Sequence, residues 1–211
     1  MTIALSAAAT EVALDVGHYA AEPGVISASG VPEFEFNLAL ALEVKEELEG
    51  LQMKVRMVGE RGDYAVLHQR TRDALGADLF VSIHHDSVQE RLLPQVDRFA
   101  GFSLFISRFN PFAAKSLACA SSIGAEMKAG GFAPSRYHAD PVLGEARPFA
   151  DEGNGVHYYD NLAVARSAAM ASVLVEAGVI VNREEERRMR DPEVRARIAR
   201  AVARGAAECL R

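Results

Sequence analysis

The chain of 211 residues has no tryptophan, only two cysteines, and aromatic residues at just 7% of its composition. Two cysteines exclude the dense disulfide framework of a small secreted domain. Cys119 and Cys209 lie in helix-like stretches without metal-ligand spacing, so they are expected to be two buried free thiols rather than a disulfide. Long apolar runs are absent too. None approaches the roughly 20 residues needed to cross a bilayer, which excludes a membrane span. Positive charge is the minor sign, with a formal net charge of -6. No Lys/Arg cluster interleaves with aromatics, so nucleic acid is excluded as a partner. The opening stretch MTIALSAAATEVALDVG has no basic n-region and only a short apolar segment, so it is a poor export signal as written. No internal repeat or low-complexity linker divides the chain, and one domain is expected over residues 1–211.

What is present is the pattern of a well-filled core: apolar residues make up 49% and charged residues 25%, ordinary for a soluble globular protein. VALDVG (Val12–Gly17) is a short apolar run closed by glycine, as for a buried strand. In PEFEFNLALALEVKEELEG, Phe36, Leu40, Val44 and Leu48 recur every fourth residue, which is an amphipathic helix with Glu33 in its first turn and Gly50 at its end. MKVRMVG alternates as a strand. DYAVLHQRTRDALGA reads as a helix with Asp63 as N-cap. DLFVSIHHDS and GFSLFIS are further strands, and NPFAAKSLACASSIGAEMKAGG is a helix with Asn110 as cap. LAVAR reads as a short strand and ASVLVEAGVI as a strong one. The end reads as a short helix followed by a terminal helix capped by Asp191, with Pro192 at its first position. From residue 132 to 160 no periodicity is visible, and so long an irregular stretch in a compact domain is usually functional or mobile.

Strands alternating with helices, and apolar on both faces, specify an α/β fold: a single domain with a twisted, mostly parallel sheet of about six strands, covered by helices on both faces. Ligands of such sheets collect at the carboxyl ends of the strands. His18 follows the first strand, His84 and His85 end another, and Glu176 lies late in ASVLVEAGVI. Two histidines and a carboxylate are a common catalytic zinc set with one position left for water, and a further glutamate nearby can act as a general base. A histidine at a strand end is, by itself, more often structural, and a glutamate in a first helical turn is more often a dipole or capping feature. Glu176 is harder to dismiss, because a carboxylate entering a sheet layer needs a partner or a metal. Strand alternation allows only one of His84 and His85 to aim at a shared ion.

Four stretches, in order and at matching intervals, resemble the zinc-dependent N-acetylmuramoyl-L-alanine amidases of bacterial cell-wall turnover, the amidase type 3 family. ALDVGHYAAEPGV resembles the opening Asp-Pro-Gly-His-Gly-Gly block, and GVPEFEFNLALAL the Glu-containing segment that ends in Asn-Leu-Ala. LHQRTRDALGADLFVSIHHDS resembles the Arg-containing helix followed by Ser-Ile-His-Ala-Asn, and SVLVEAGVIVNREEE the Val-Leu-Val-Glu block. The resemblance implies one Zn2+ per chain held by His18, Glu33 and His84, with Glu176 as the catalytic glutamate. Glu33 is chosen over Glu35 because it stands four residues before Asn37, and His84 over His85 because it directly follows Ser82-Ile83; His85 is then structural or supports the ligands from outside. Val16 for proline, Tyr19-Ala20 for Gly-Gly and His85-Asp86 for Ala-Asn are departures that bear on substrate preference. The implied reaction is hydrolysis of the amide between N-acetylmuramic acid and the L-alanine of the stem peptide. The implied partners are peptidoglycan or muropeptide, with an activator or targeting protein because no wall-anchoring domain is expected. The implied location is the periplasm or exterior. For residues 132–160, which include His138, Glu145, Arg147, Asp151 and His157, a groove wall is preferred to a lid. A zinc amidohydrolase or peptidase acting on soluble muropeptides, and a non-catalytic wall-binding module, are the competing readings.

Overall fold

The computed structural model describes residues 10–211, so most of the stretch read for an export signal lies outside the described residues. Strand β1 (Glu11–Val16) leads through a loop into helix α1 (Glu33–Gly50), then β2 (Lys54–Val58), α2 (Leu67–Asp73) and β3 (Leu79–Asp86). A 3-10 segment (Glu90–Arg98) precedes β4 (Ser103–Ile106) and α3 (Ala113–Ala129). Two short strands, β5 (Phe149–Asp151) and β6 (Val156–Tyr158), come before α4 (Ala163–Ser167), β7 (Ala171–Val179), α5 (Arg183–Arg190) and α6 (Pro192–Cys209).

The seven strands form one sheet in the order β2-β1-β3-β7-β4-β6-β5. The pairs from β2 to β7 are parallel, β4 runs antiparallel to β7 and parallel to β6, and β5 closes the edge antiparallel to β6. Two of the seven, β5 and β6, come from the stretch without periodicity. Strands of three residues are too short to show alternation, and they are held by edge pairing. LAVAR is not a strand but helix α4, whose Val164 packs on the sheet beside Phe80 and Phe105.

The alternation of the strands divides the core in two. Val12, Leu14, Val81, Ile83, Val173 and Val175 face α1, α3 and α6, while Ala13, Phe80, Phe105 and Leu174 face the smaller cover that includes α4. On α1, the expected stripe of Phe36, Leu40, Val44 and Leu48 is buried. Two caps differ from expectation. Helix α2 begins at Leu67 without a side-chain cap, because the chain from Asp63 to Val66 is still extended or turning. Asn110 lies short of α3: its Oδ1 accepts from Phe112 N at 2.7 Å, while its Nδ2 donates to the carbonyl of Ala165 at 2.7 Å. Asp191 caps α6 as expected, with Pro192 in the first turn.

Cys119 on α3 and Cys209 on α6 are joined in a disulfide, not free, with Cα atoms 4.9 Å apart and a sequence separation of 90. The two helices pack against each other on one face of the sheet, a neighbourhood that cysteine spacing does not reveal. Closing a loop of that length restricts the unfolded chain by about 4–5 kcal/mol in the chain-entropy account. The Cys119→Ala/Cys209→Ala double variant is therefore expected to unfold at distinctly lower denaturant concentration, and chemical denaturation of the two proteins side by side measures the loss.

Candidate metal centre and active site

The end of β1 is built around a buried charge. Asp15, 1% exposed, sits within an apolar strand, and its Oδ1 accepts from Arg70 Nη1 at 2.7 Å while Oδ2 accepts from Ser82 Oγ at 2.6 Å. Arg70 also donates to the carbonyls of Val16, at 2.6 Å, and His18. These bonds hold the backbone where His18 adopts φ 67°, a left-handed conformation that a non-glycine residue takes only when its surroundings fix it. The turn aims the His18 ring back over the sheet edge.

Glu33 reaches the same point from the first turn of α1. Its Oε2 lies 3.0 Å from His18 Nε2, and its Oε1 lies 3.0 Å from His84 Nδ1. The two imidazole rings stand edge-on with centroids 4.9 Å apart. One donor atom from each of His18, Glu33 and His84 falls within 4.8 Å of the others. Two glycines leave the room for this. A Cβ on Gly17 would meet the His84 ring at 2.3 Å, and one on Gly24, at φ +81°, would meet Glu33 Oε2 at 2.3 Å. Burial raises the Glu33 pKa, but hydrogen bonds to His18 and His84 outweigh it and hold the carboxyl below the ordinary carboxylate range.

The donor set suits a divalent ion. Three ligands at zinc distances in a tetrahedron stand about 3.3 Å from one another; here each imidazole has a nitrogen 3.0 Å from a Glu33 oxygen, and one donor atom of each of the three residues lies within 4.8 Å of the others. Support comes from behind. Asn37, one turn along α1, donates to Glu33 Oε1 at 3.1 Å, and its Oδ1 meets His85 Nδ1 at 2.8 Å. His85 points to the helix side of the sheet, opposite His84, as strand alternation requires. Burial pushes its pKa down to about 4, so it is neutral and donates to Asn37.

Glu176 pairs with His84 across β3 and β7, which puts both side chains on the same face. Just beyond, the register shifts: Asp86 pairs with Val179. A bulge at this place re-aims the strand ends. Glu176 is half-buried, and its Oε2 is enclosed with no hydrogen-bond partner. Burial first, and then the charges of Asp86 and Glu33, push its pKa well above the ordinary carboxylate value. In front of the centre lies a cleft of about 370 Å³. His18, His84 and Gly17 form its polar end, and Leu67, Leu162 and Leu174 line an apolar wall.

The stretch between 132 and 160 brings a second set of charges beside Glu176. His138 Nε2 lies 2.6 Å from Asp86 Oδ2, its Nδ1 lies 2.7 Å from Glu145 Oε2, and Arg147 Nε donates to the same Glu145 oxygen at 2.7 Å. Burial alone would lower the His138 pKa, but Asp86 and Glu145 outweigh it and hold it up at about 9. A pKa raised above the unfolded value of about 6.5 gives stability that is complete below pH 6.5 and is lost as pH rises through about 9. Thermal melts in chelator are expected to show the wild type losing stability over that window, and His138→Gln losing markedly less. His157 is fully buried against Phe149, with ring centroids 4.3 Å apart, and burial lowers its pKa to about 4.

All four residues singled out in the sequence thus lie at one edge of the sheet: three meet, and Glu176 stands in register beside His84. The sequence alone assigned no supporting role to Asp15, Arg70, Asn37 or His138. Asp15 was open to detection, since a carboxylate inside VALDV requires a buried partner. Asn37, Asp86 and His138 stand in stretches already singled out, but their contacts with one another's segments and with the site carry no local signal.

An open α/β sheet with a His-Glu-His group and a second carboxylate at its carboxyl edge defines an α/β protein with a candidate metal centre. Residues 12–208 match the family model of N-acetylmuramoyl-L-alanine amidase, and the chain belongs to that family. N-acetylmuramoyl-L-alanine amidase AmiC of Neisseria meningitidis is 28% identical over 215 residues, covering 92% of this chain. AmiA of Salmonella typhimurium is 28% identical over 217 residues, covering 92% of this chain and 74% of its own length. The chain spans 51% of the Neisseria protein, about half its length. The catalytic domain of CwlV, an amidase from Bacillus (Paenibacillus) polymyxa, superposes with a TM-score of 0.74 at 27% identity, covering 95% of this chain and 98% of that domain.

Proposed function

We propose that the chain is a zinc-dependent peptidoglycan amidase, with His18, Glu33 and His84 as metal ligands and Glu176 as general acid and base. The observation that carries this reading is the convergence of those three donors within 4.8 Å, beside a carboxylate oxygen without a partner. Bound there, zinc supplies a Lewis acid for the scissile carbonyl and acidifies a water molecule from a pKa of about 15.7 towards roughly 7.

The chain's own residues do the rest. Glu176 takes a proton from the attacking water as its oxygen bonds to the lactyl carbonyl carbon. As the C–N bond breaks, Glu176 returns that proton to the alanine nitrogen, giving a free amine and a lactyl carboxylic acid, whose remaining water-derived proton is then lost to solvent. Arg70 and Asp15 fix the His18 backbone, and Asn37 with His85 fixes Glu33, so the ligands need little reorganisation. Leu67, Leu162 and Leu174 offer the substrate an apolar wall of the cleft. Outside that cleft, residues 137–147, pinned through His138 to Asp86, are assigned as a wall of the longer substrate groove. The Cys119–Cys209 disulfide supports an oxidising location, periplasmic or extracellular. Among the described residues no helix is long and apolar enough to cross a membrane.

Mass spectrometry of digested sacculi tests the reaction. The expected products are stem peptides with a free amino-terminal L-alanine and glycan stripped of peptide. Cleavage inside the peptides, or release from soluble muropeptides alone, would replace this reading with the wider amidohydrolase one.

A further inference from the structure

Ser103 is an odd residue for its place. It starts β4 between Phe102 and Leu104, both core residues, and is itself 0% exposed. Its hydroxyl has no hydrogen-bond partner. A buried hydroxyl left unmatched costs stability, and alanine would fill the same space without that cost. The residue directly opposite, across the antiparallel pairing of β4 and β7, is Glu176. Side chains opposite one another on such a ladder share a face, with Cβ atoms about 4.5–5.5 Å apart. Glu176 Oε2 is also enclosed and unmatched. A hydroxyl that can donate and a carboxylate oxygen that accepts when ionised therefore stand on directly paired residues of one face, neither with a partner.

We propose that Ser103 is the positioning residue of the general base. Its hydroxyl donates to one Glu176 oxygen and fixes the carboxylate plane, so that the other oxygen is presented to the attacking water. This rests on the reading of Glu176 as the base. It makes the serine a feature of catalysis bought at the expense of the fold, so activity and stability should separate.

The test is Ser103→Ala, alone and combined with Glu176→Gln, assayed on sacculi together with zinc content and thermal melting. The expected result for Ser103→Ala is about a tenfold fall in kcat, with KM and zinc content unchanged and a melting temperature equal to or above that of the wild type. In the Glu176→Gln background the serine change should add no further loss. A wild-type kcat for Ser103→Ala overturns the proposal, as does an equal fold loss in both backgrounds, or a loss accompanied by lower melting or lost zinc. If Glu176→Gln itself keeps wild-type rates, the assignment of the base fails first and the role of Ser103 falls with it; if Glu176→Gln is inactive while Ser103→Ala is not, only the role of Ser103 fails.

Discussion

Glu176→Gln is expected to retain a full complement of zinc and to lose turnover by about 10³-fold, within the range of general acid–base catalysis. Glutamine has the shape of glutamate and fits the same half-buried place on β7, so the sheet and the three donors are undisturbed. What it lacks is an oxygen able to take a proton. Burial and the neighbouring acids Asp86 and Glu33 already push the Glu176 pKa well above the ordinary carboxylate value, and a cation beside it pulls the other way. A base balanced between those influences can both accept a proton and give it back. Rate measurements on sacculi with parallel metal analysis check the outcome; wild-type turnover would remove Glu176 from the mechanism.

His84→Ala is expected to drop zinc content from one equivalent to well below it, with activity falling in proportion. Removing one of the three proposed ligands leaves Glu33 and His18 without the third donor of the group. His85→Ala should behave differently. Its ring lies on the other face and touches Asn37 at 2.8 Å, so its loss loosens Glu33 rather than removing a ligand, and metal affinity should fall by about 10–100-fold. Titration with zinc in a competing chelator separates the two variants. Full occupancy after His84→Ala would transfer the ligand role to His85.

The long strands and helices were legible because their burial is periodic: the stripe on α1 and the apolar runs of β1, β3 and β7 carry their own signal. His18, His84 and Glu176 were legible as polar interruptions at the ends of those runs, and the resemblance then selected Glu33 over Glu35 and His84 over His85. What escaped was set by contacts between distant segments. The disulfide depends on α3 lying against α6, β5 and β6 depend on an edge offered by β4, and the His138 pair with Asp86 depends on a loop folding back over β3. Asp63 and Asn110 failed as helix caps because local preference places a capping residue near a helix start, while packing against the sheet decides where the helix begins.

Crystals of the zinc-loaded protein, measured at the zinc absorption edge, test the centre most directly. One anomalous peak per chain is predicted, within about 2.0–2.2 Å of a His18 nitrogen, a Glu33 oxygen and a His84 nitrogen. A peak bound instead through His85 or His138, or none under conditions where the enzyme is active, would contradict the account.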